Sequence, residues 1–255
     1  MKKTFRVLSS FLAVVLLLST LSCFCFVSAA NNRTFTTAPE IYTYVRDGYN
    51  QGTLGPISIT KGTLKNGLSS KTVYLITLSG TEIVLNQSTE VVTDLLSGFN
   101  LKSAYYYNVV NTVLANVPVG SNLIIAGHSL GGMIAQQVAA DPTLKAKYNI
   151  INTVCFGSPL LSAGSREGTV KRLGDVSDPV PYLSGSLFNN TLWAILGLNR
   201  ENGGYGILGI HAHNLSYARE DVWGAYDVTG TKYGSAKLIL DLDTRVFYQS
   251  PIIDW

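Results

Sequence analysis

Residues 127–132 read Gly-His-Ser-Leu-Gly-Gly and follow directly on an apolar run, Asn122 to Ala126. A serine in a Gly-x-Ser-x-Gly turn between a strand and a helix is the setting of an activated nucleophile. The glycines lack Cβ atoms, so strand and helix approach closely and the turn lifts the Ser129 hydroxyl above the sheet edge. Backbone N–H groups at the helix start beneath it can hold a developing oxyanion. A hydroxyl alone is a weak nucleophile. It needs a base to take its proton, and the base needs an acid to orient it.

In this arrangement the acid and then the base follow the serine along the chain. Two histidines follow Ser129, namely His211 and His213, and the base is one of them. His128 adjoins the serine within the turn and cannot swing round to deprotonate its neighbour, so it reads as structural. Asp141, in Ala-Asp-Pro-Thr, reads as a cap or turn. Asp175 and Asp178 both follow the strand-like run Thr169 to Gly174. Asp178 leads, because Pro179 and Pro181 stop further sheet pairing and leave it in a loop beyond a strand's C-terminal end. A second oxyanion donor should come from a loop after an earlier strand. Ser79, Gly80 and Thr81 form such a loop, and Thr81 offers its N–H there.

These residues need a scaffold. Residues 38–52 and 100–117 read as helices, and the second places Tyr106, Val110, Val113 and Val117 on one face. Residues 57–64, 71–80, 122–126, 150–157 and 168–176 read as strands, and residues 131–142 as a helix stopped at Pro142. Short apolar strands alternating with helices predict an α/β fold: a mainly parallel central sheet with helices on both faces, in a single domain.

The N-terminus carries Lys2, Lys3 and Arg6, then a mostly apolar run from Phe11 to Val27, then Ser28, Ala29 and Ala30. This pattern predicts a secretory signal peptide over residues 1–30, a mature domain over residues 31–255, a secreted product and no stable membrane anchor after cleavage. The whole chain holds 19 basic and 16 acidic residues. Three of the basic ones leave with the signal, so the mature chain is formally neutral and nothing in its charge points to nucleic acid. Cys23 and Cys25 leave too. Cys155, in an apolar run, reads as a buried packing residue. No phosphate loop or dinucleotide fingerprint is present, and the expectation is no cofactor and no metal.

Taken together, Ser-Gly-Thr at 79–81, Gly-His-Ser-Leu-Gly-Gly at 127–132, Phe-Gly-Ser-Pro at 156–159, Asp-Pro-Val-Pro at 178–181 and His213 before Tyr217 resemble the class 3 (fungal-type) triacylglycerol lipases in their short bacterial secreted form. The resemblance spans most of the mature chain. It implies an α/β-hydrolase fold, with Ser129 as nucleophile, Asp178 as orienting acid, His213 as base, and Thr81 and Leu130 as oxyanion donors. The implied partner is an ester or lipid substrate, met in solution or at a lipid–water interface. Residues 183–199 concentrate Leu187, Phe188, Leu192, Trp193, Ile195, Leu196 and Leu198, and read as a core helix or as an apolar rim for an acyl chain. Two alternatives use the same residues: an acyltransferase, or a secreted binding protein that keeps the fold without turnover.

Overall fold

Alternation with a period of two decides the layers. Val73, Leu75, Ile124 and Ala126 pack into one apolar cluster, while Ile76, Leu78, Leu123 and Ile125 pack into another. Successive side chains of a strand point to opposite faces, so strands apolar at every position demand cover on both sides. The computed structural model describes residues 31–80, 103–182, 195 and 197–251, and from Asn32 onward these described residues form one compact unit.

Nine strands are described: β1 (Asn32–Phe35), β2 (Ile57–Asn66), β3 (Ser69–Leu78), β4 (Asn122–His128), β5 (Asn149–Phe156), β6 (Thr169–Asp175), β7 (Leu198–Glu201), β8 (Lys237–Asp241) and β9 (Val246–Tyr248). They form one sheet in the order β1-β8-β2-β3-β4-β5-β6-β7, with β9 pairing on β2. From β3 through β7 every neighbour is parallel. The pairs β1–β8, β2–β3, β2–β8 and β2–β9 are antiparallel. The protein is therefore a mixed α/β structure, and the expectation of a mainly parallel sheet holds for only half of it. Part of the antiparallel half, β1, β8 and β9, was hidden for a physical reason. β1 reads Asn-Arg-Thr-Phe and buries only Phe35, and β8 pairs with strands from the opposite end of the chain.

The helices are α1 (Ala38–Arg46), α2 (Ala104–Asn116), α3 (Leu130–Ala139), α4 (Pro142–Lys147), α5 (Gly209–Leu215) and α6 (Glu220–Trp223). The Glu40 carboxylate caps α1 by accepting from the Thr36 and Thr37 N–H groups at 2.6 and 3.2 Å. Tyr42 and Val45 of α1 and Trp223 of α6 cover the first face. Tyr105, Tyr106, Val109 and Val113 of α2, with Ile134 and Val138 of α3, cover the second. Pro142 does not simply stop a helix. Asp141 accepts from the Leu144 N–H at 2.9 Å and starts α4, with Pro142 in its first turn. Cys155 is free and buried, as expected, and burial pushes its thiol up to about 11. Among the described residues no helix is long and apolar enough to cross a membrane. The proposed signal peptide lies outside the described residues.

Parallel registry places Leu78, Gly127 and Cys155 in one row, and His128 beside Phe156 beside Leu173 in the next. The residues that follow these rows are Ser79 and Gly80, Ser129, Gly157, and the Asp175–Asp178 segment. All the carboxyl ends therefore open on one edge, where open α/β sheets hold their ligands. One buried cation braces this edge. The Arg172 guanidinium donates to the Ser158 carbonyl at 3.0 Å and the Pro181 carbonyl at 2.5 Å, so the Phe-Gly-Ser-Pro and Asp-Pro-Val-Pro segments share one clamp. Burial pulls Arg172 down to about 10. Replacing Arg172 with Met strands both carbonyls, and urea unfolding should show a loss of about 2–4 kcal/mol.

Candidate active site

Ser129 adopts φ 56° and ψ −125°, a region that costs a non-glycine residue about 1–3 kcal/mol. Its surroundings enforce this. A Cβ on Gly127 would overlap the Gly131 carbonyl, one on Gly131 would overlap the Leu78 carbonyl, and one on Gly132 would lie 2.5 Å from Ser158 Cβ. Each glycine in the motif is thus required by a backbone or side chain pressed against it. The Ser129 N–H donates to the Phe156 carbonyl at 3.0 Å, which pins the turn to β5. Leu130 is the first residue of α3, so helix geometry leaves its N–H without an intrahelical acceptor.

Asp178 has no exposed surface. Its Oδ2 accepts from His213 Nδ1 at 2.9 Å and from the Tyr217 hydroxyl at 2.6 Å, and its Oδ1 accepts from the Val180 N–H at 2.9 Å. Because a carboxylate only accepts, His213 donates from Nδ1, and in the neutral ring Nε2 is then the lone pair. Beneath this pair lies Gly157, at φ +52°, where a Cβ would sit 2.8 Å from Asp178 Oδ2 and 3.0 Å from His213 Nδ1. The glycine of Phe-Gly-Ser-Pro therefore makes room for the acid and the imidazole.

Among the described residues, the buried Ser129 Oγ and His213 Nε2 have no hydrogen-bond partner. Orphaned buried polar atoms are costly and uncommon in folded proteins. Here they are a hydroxyl and an imidazole lone pair at the same sheet edge.

The sequence left Asp175 against Asp178 and His211 against His213. The structure separates both pairs. Asp175 is consumed by packing: it accepts from the Ser177 N–H at 2.8 Å, the Gly203 N–H at 2.9 Å and the Ser216 hydroxyl at 2.5 Å. None of these is a histidine. His213 is buried against Asp178, whereas His211 is partly exposed. Both lie on α5, not on a strand, so positions 211 and 213 project about 200° apart. Among the described residues no group of three or more His, Cys, Asp or Glu is placed to hold a metal ion.

Thr81 lies outside the described residues, but the two residues before it are firmly held. The Ser79 N–H donates to the Pro56 carbonyl at 3.0 Å, and the Ser79 hydroxyl to the Val45 carbonyl at 3.1 Å. The buried Tyr105 hydroxyl donates to the Ser79 carbonyl at 2.8 Å. The segment 183–199, read as a core helix or an apolar rim, also lies outside the described residues, apart from Ile195, Gly197, Leu198 and Asn199.

His128 is more engaged than its reading as a structural residue suggested. Its ring centroid lies 4.6 Å from that of His213, and Tyr42 meets it edge-on at 5.2 Å. Burial, with His213 and Arg46 adding to it, pulls His128 well below the usual histidine range. Sequence reasoning gave no role to Tyr42, Tyr49, Gly157 or Tyr217. Gly157 had a signal in its place within Phe-Gly-Ser-Pro, and Tyr217 in its place just after His213; Tyr42 and Tyr49 had none.

No family model and no curated protein sequence matches this chain. One solved structure, an M37 lipase, is similar in part: 12% identity, with 75% of this chain and 87% of that chain covered at a TM-score of 0.37.

The state of His128 has a measurable consequence. Unfolded, it would take up a proton below its ordinary value of 6.5; folded, it refuses that proton. Its contribution is therefore fully present above pH 6.5 and is lost as pH falls below it, at up to about 1.4 kcal/mol per pH unit. Denaturant unfolding at about pH 7.5 and about pH 5 should show a smaller acid penalty in His128→Phe than in the wild type.

Proposed function

We propose that this protein is a secreted serine hydrolase that cleaves carboxylic esters, of acylglycerol type, on an α/β-hydrolase scaffold. The observation that carries the reading is the buried Asp178–His213 pair, which leaves His213 Nε2 unpartnered at the edge where the Ser129 hydroxyl is also unpartnered. The motif set in the sequence, which resembles class 3 lipases, adds the substrate class.

The steps follow from proton bookkeeping. Ser129 Oγ attacks the ester carbonyl carbon while His213 Nε2 takes the hydroxyl proton. Negative charge moves to the carbonyl oxygen, where the Leu130 and Thr81 N–H groups hold it. As the tetrahedral adduct collapses, the bond to the alcohol oxygen breaks and His213 returns its proton to that oxygen. An acyl-Ser129 ester remains. Water then attacks it, giving a proton to Nε2, and the second collapse releases the acid and restores Ser129. Asp178 stays ionised throughout and stabilises the imidazolium that forms twice per cycle.

The test combines labelling with turnover. A fluorophosphonate should modify the wild type at Ser129 and nowhere else. On a p-nitrophenyl ester ladder from acetyl to palmitoyl, Ser129→Ala and His213→Ala should lose about a thousandfold or more in kcat, and Asp178→Asn a comparable factor. His211→Ala should stay near wild type. The preferred chain length would distinguish an esterase from a lipase, and added alcohol outcompeting water would indicate an acyltransferase. Full activity in Ser129→Ala, or an unlabelled and inactive wild type, would leave a binding protein as the reading.

A further inference from the structure

We propose that Tyr49 and His128 are positioning residues, joining the loop after β3 to the helix that carries His213 through one directed chain of hydrogen bonds. This rests on the hydrolase reading of the site and adds two residues to its machinery.

The chain has three links. The Gly80 N–H donates to the Tyr49 hydroxyl oxygen at 2.8 Å. The Tyr49 hydroxyl lies 2.7 Å from His128 Nδ1. His128 Nε2 lies 3.0 Å from the His213 backbone carbonyl. A carbonyl can only accept, so Nε2 must carry a proton. A ring buried among Tyr42, Tyr49, His213 and Tyr217 favours the neutral form, so Nδ1 is a lone pair and the Tyr49 hydroxyl donates to it. Every donor then points the same way, from Gly80 towards α5.

Each end of the chain meets a need of the site. α5 is seven residues long, and the last four carbonyls of any helix lack intrahelical partners. His128 caps the carbonyl of His213 itself. The Tyr42 hydroxyl caps the next one, Asn214, at 2.7 Å. The base is thus held by its backbone as well as by Asp178. At the other end, Gly80 is packed so closely that a Cβ would sit 2.8 Å from the Tyr49 hydroxyl, 2.9 Å from the His128 carbonyl and 3.0 Å from Ser129 Cβ. Moving Gly80 moves the wall beside the nucleophile. His128 is covalently joined to Ser129, so nucleophile, base and loop are referenced to one side chain.

Tyr49→Phe removes the hydroxyl and keeps the ring that packs under Arg46 at 4.7 Å. Ester turnover should fall about ten- to a hundredfold in kcat with KM little changed, since small displacements of reacting groups act on the transition state. Residues that act as one chain are non-additive, so Tyr49→Phe/His128→Phe should lose no more than the larger single variant. A merely structural role would lower the melting temperature without this kcat-against-KM split or this coupling. Independently of turnover, nitrogen-15 spectra of histidine-labelled protein should show His128 protonated on Nε2 and bare on Nδ1, and Gly80 amide exchange should quicken in Tyr49→Phe. Wild-type kcat in Tyr49→Phe, with Ser129 still labelled by fluorophosphonate, would overturn the positioning role alone. An unlabelled wild type would overturn the hydrolase reading and with it the catalytic consequence, and the nitrogen-15 result would still decide the chain: a proton on His128 Nδ1 would sink it.

Discussion

A carboxylate with no exposed surface lies just beyond β6, and the surrounding structure is arranged to donate to it. Burying an ionised group costs several kcal/mol unless its oxygens are bonded. Asp178 meets that condition through donors from three places: Val180 in the turn after it, His213 on α5 and Tyr217 in the 3₁₀ turn Ser216–Ala218. These bonds fix where α5 lies and which nitrogen of His213 carries its proton. Tyr217 completes the arrangement by accepting from the Asp175 N–H at 3.2 Å, and burial together with the nearby Asp178 charge pushes its hydroxyl well above the usual tyrosine range. Asp175 in turn holds the segment after β7 at Gly203 and the Ser216 turn. Two aspartates three residues apart thus divide the work, one tying the sheet edge together and the other serving the imidazole.

A second constraint is close approach. The turn at Ser129 is tolerated because backbone and side-chain atoms from β3, α3 and the loop after β5 occupy the space that side chains at 127, 131 and 132 would need. Gly157 does the same beneath the acid and the imidazole. Strain at one serine is over-determined by these contacts, which is how a costly backbone geometry persists in a folded state. The local chain alone would relax it.

Much of the scaffold was legible in the sequence because it is local. The strands β2 to β6 and the helix α2 carry apolar periodicities long enough to read, and the helix face built on Tyr106, Val110 and Val113 is buried. What escaped was non-local or weakly patterned: β1, with one buried side chain, the four-residue β7, and β8 and β9, whose pairing depends on the fold returning to β2. The same distinction holds at the site. Ser129, Asp178 and His213 stand in motifs. Tyr49 stands in Asp-Gly-Tyr-Asn, which carries no signal, and it reaches His128 across 79 residues of chain.

The sequence by itself determined the residue types, their order and the turn at Ser129, because glycine spacing and strand-helix periodicity act over a few residues. It narrowed the candidate acid to the Asp175–Asp178 segment and the candidate base to two histidines. Only the tertiary structure decided that Asp175 belongs to packing, that His213 and not His211 faces Asp178, and that His128 is bonded at both ring nitrogens. Those outcomes depend on which groups burial brings within about 3 Å. Helical geometry turns one of two histidines inward, and the need to satisfy buried charges and helix-end carbonyls settles the rest.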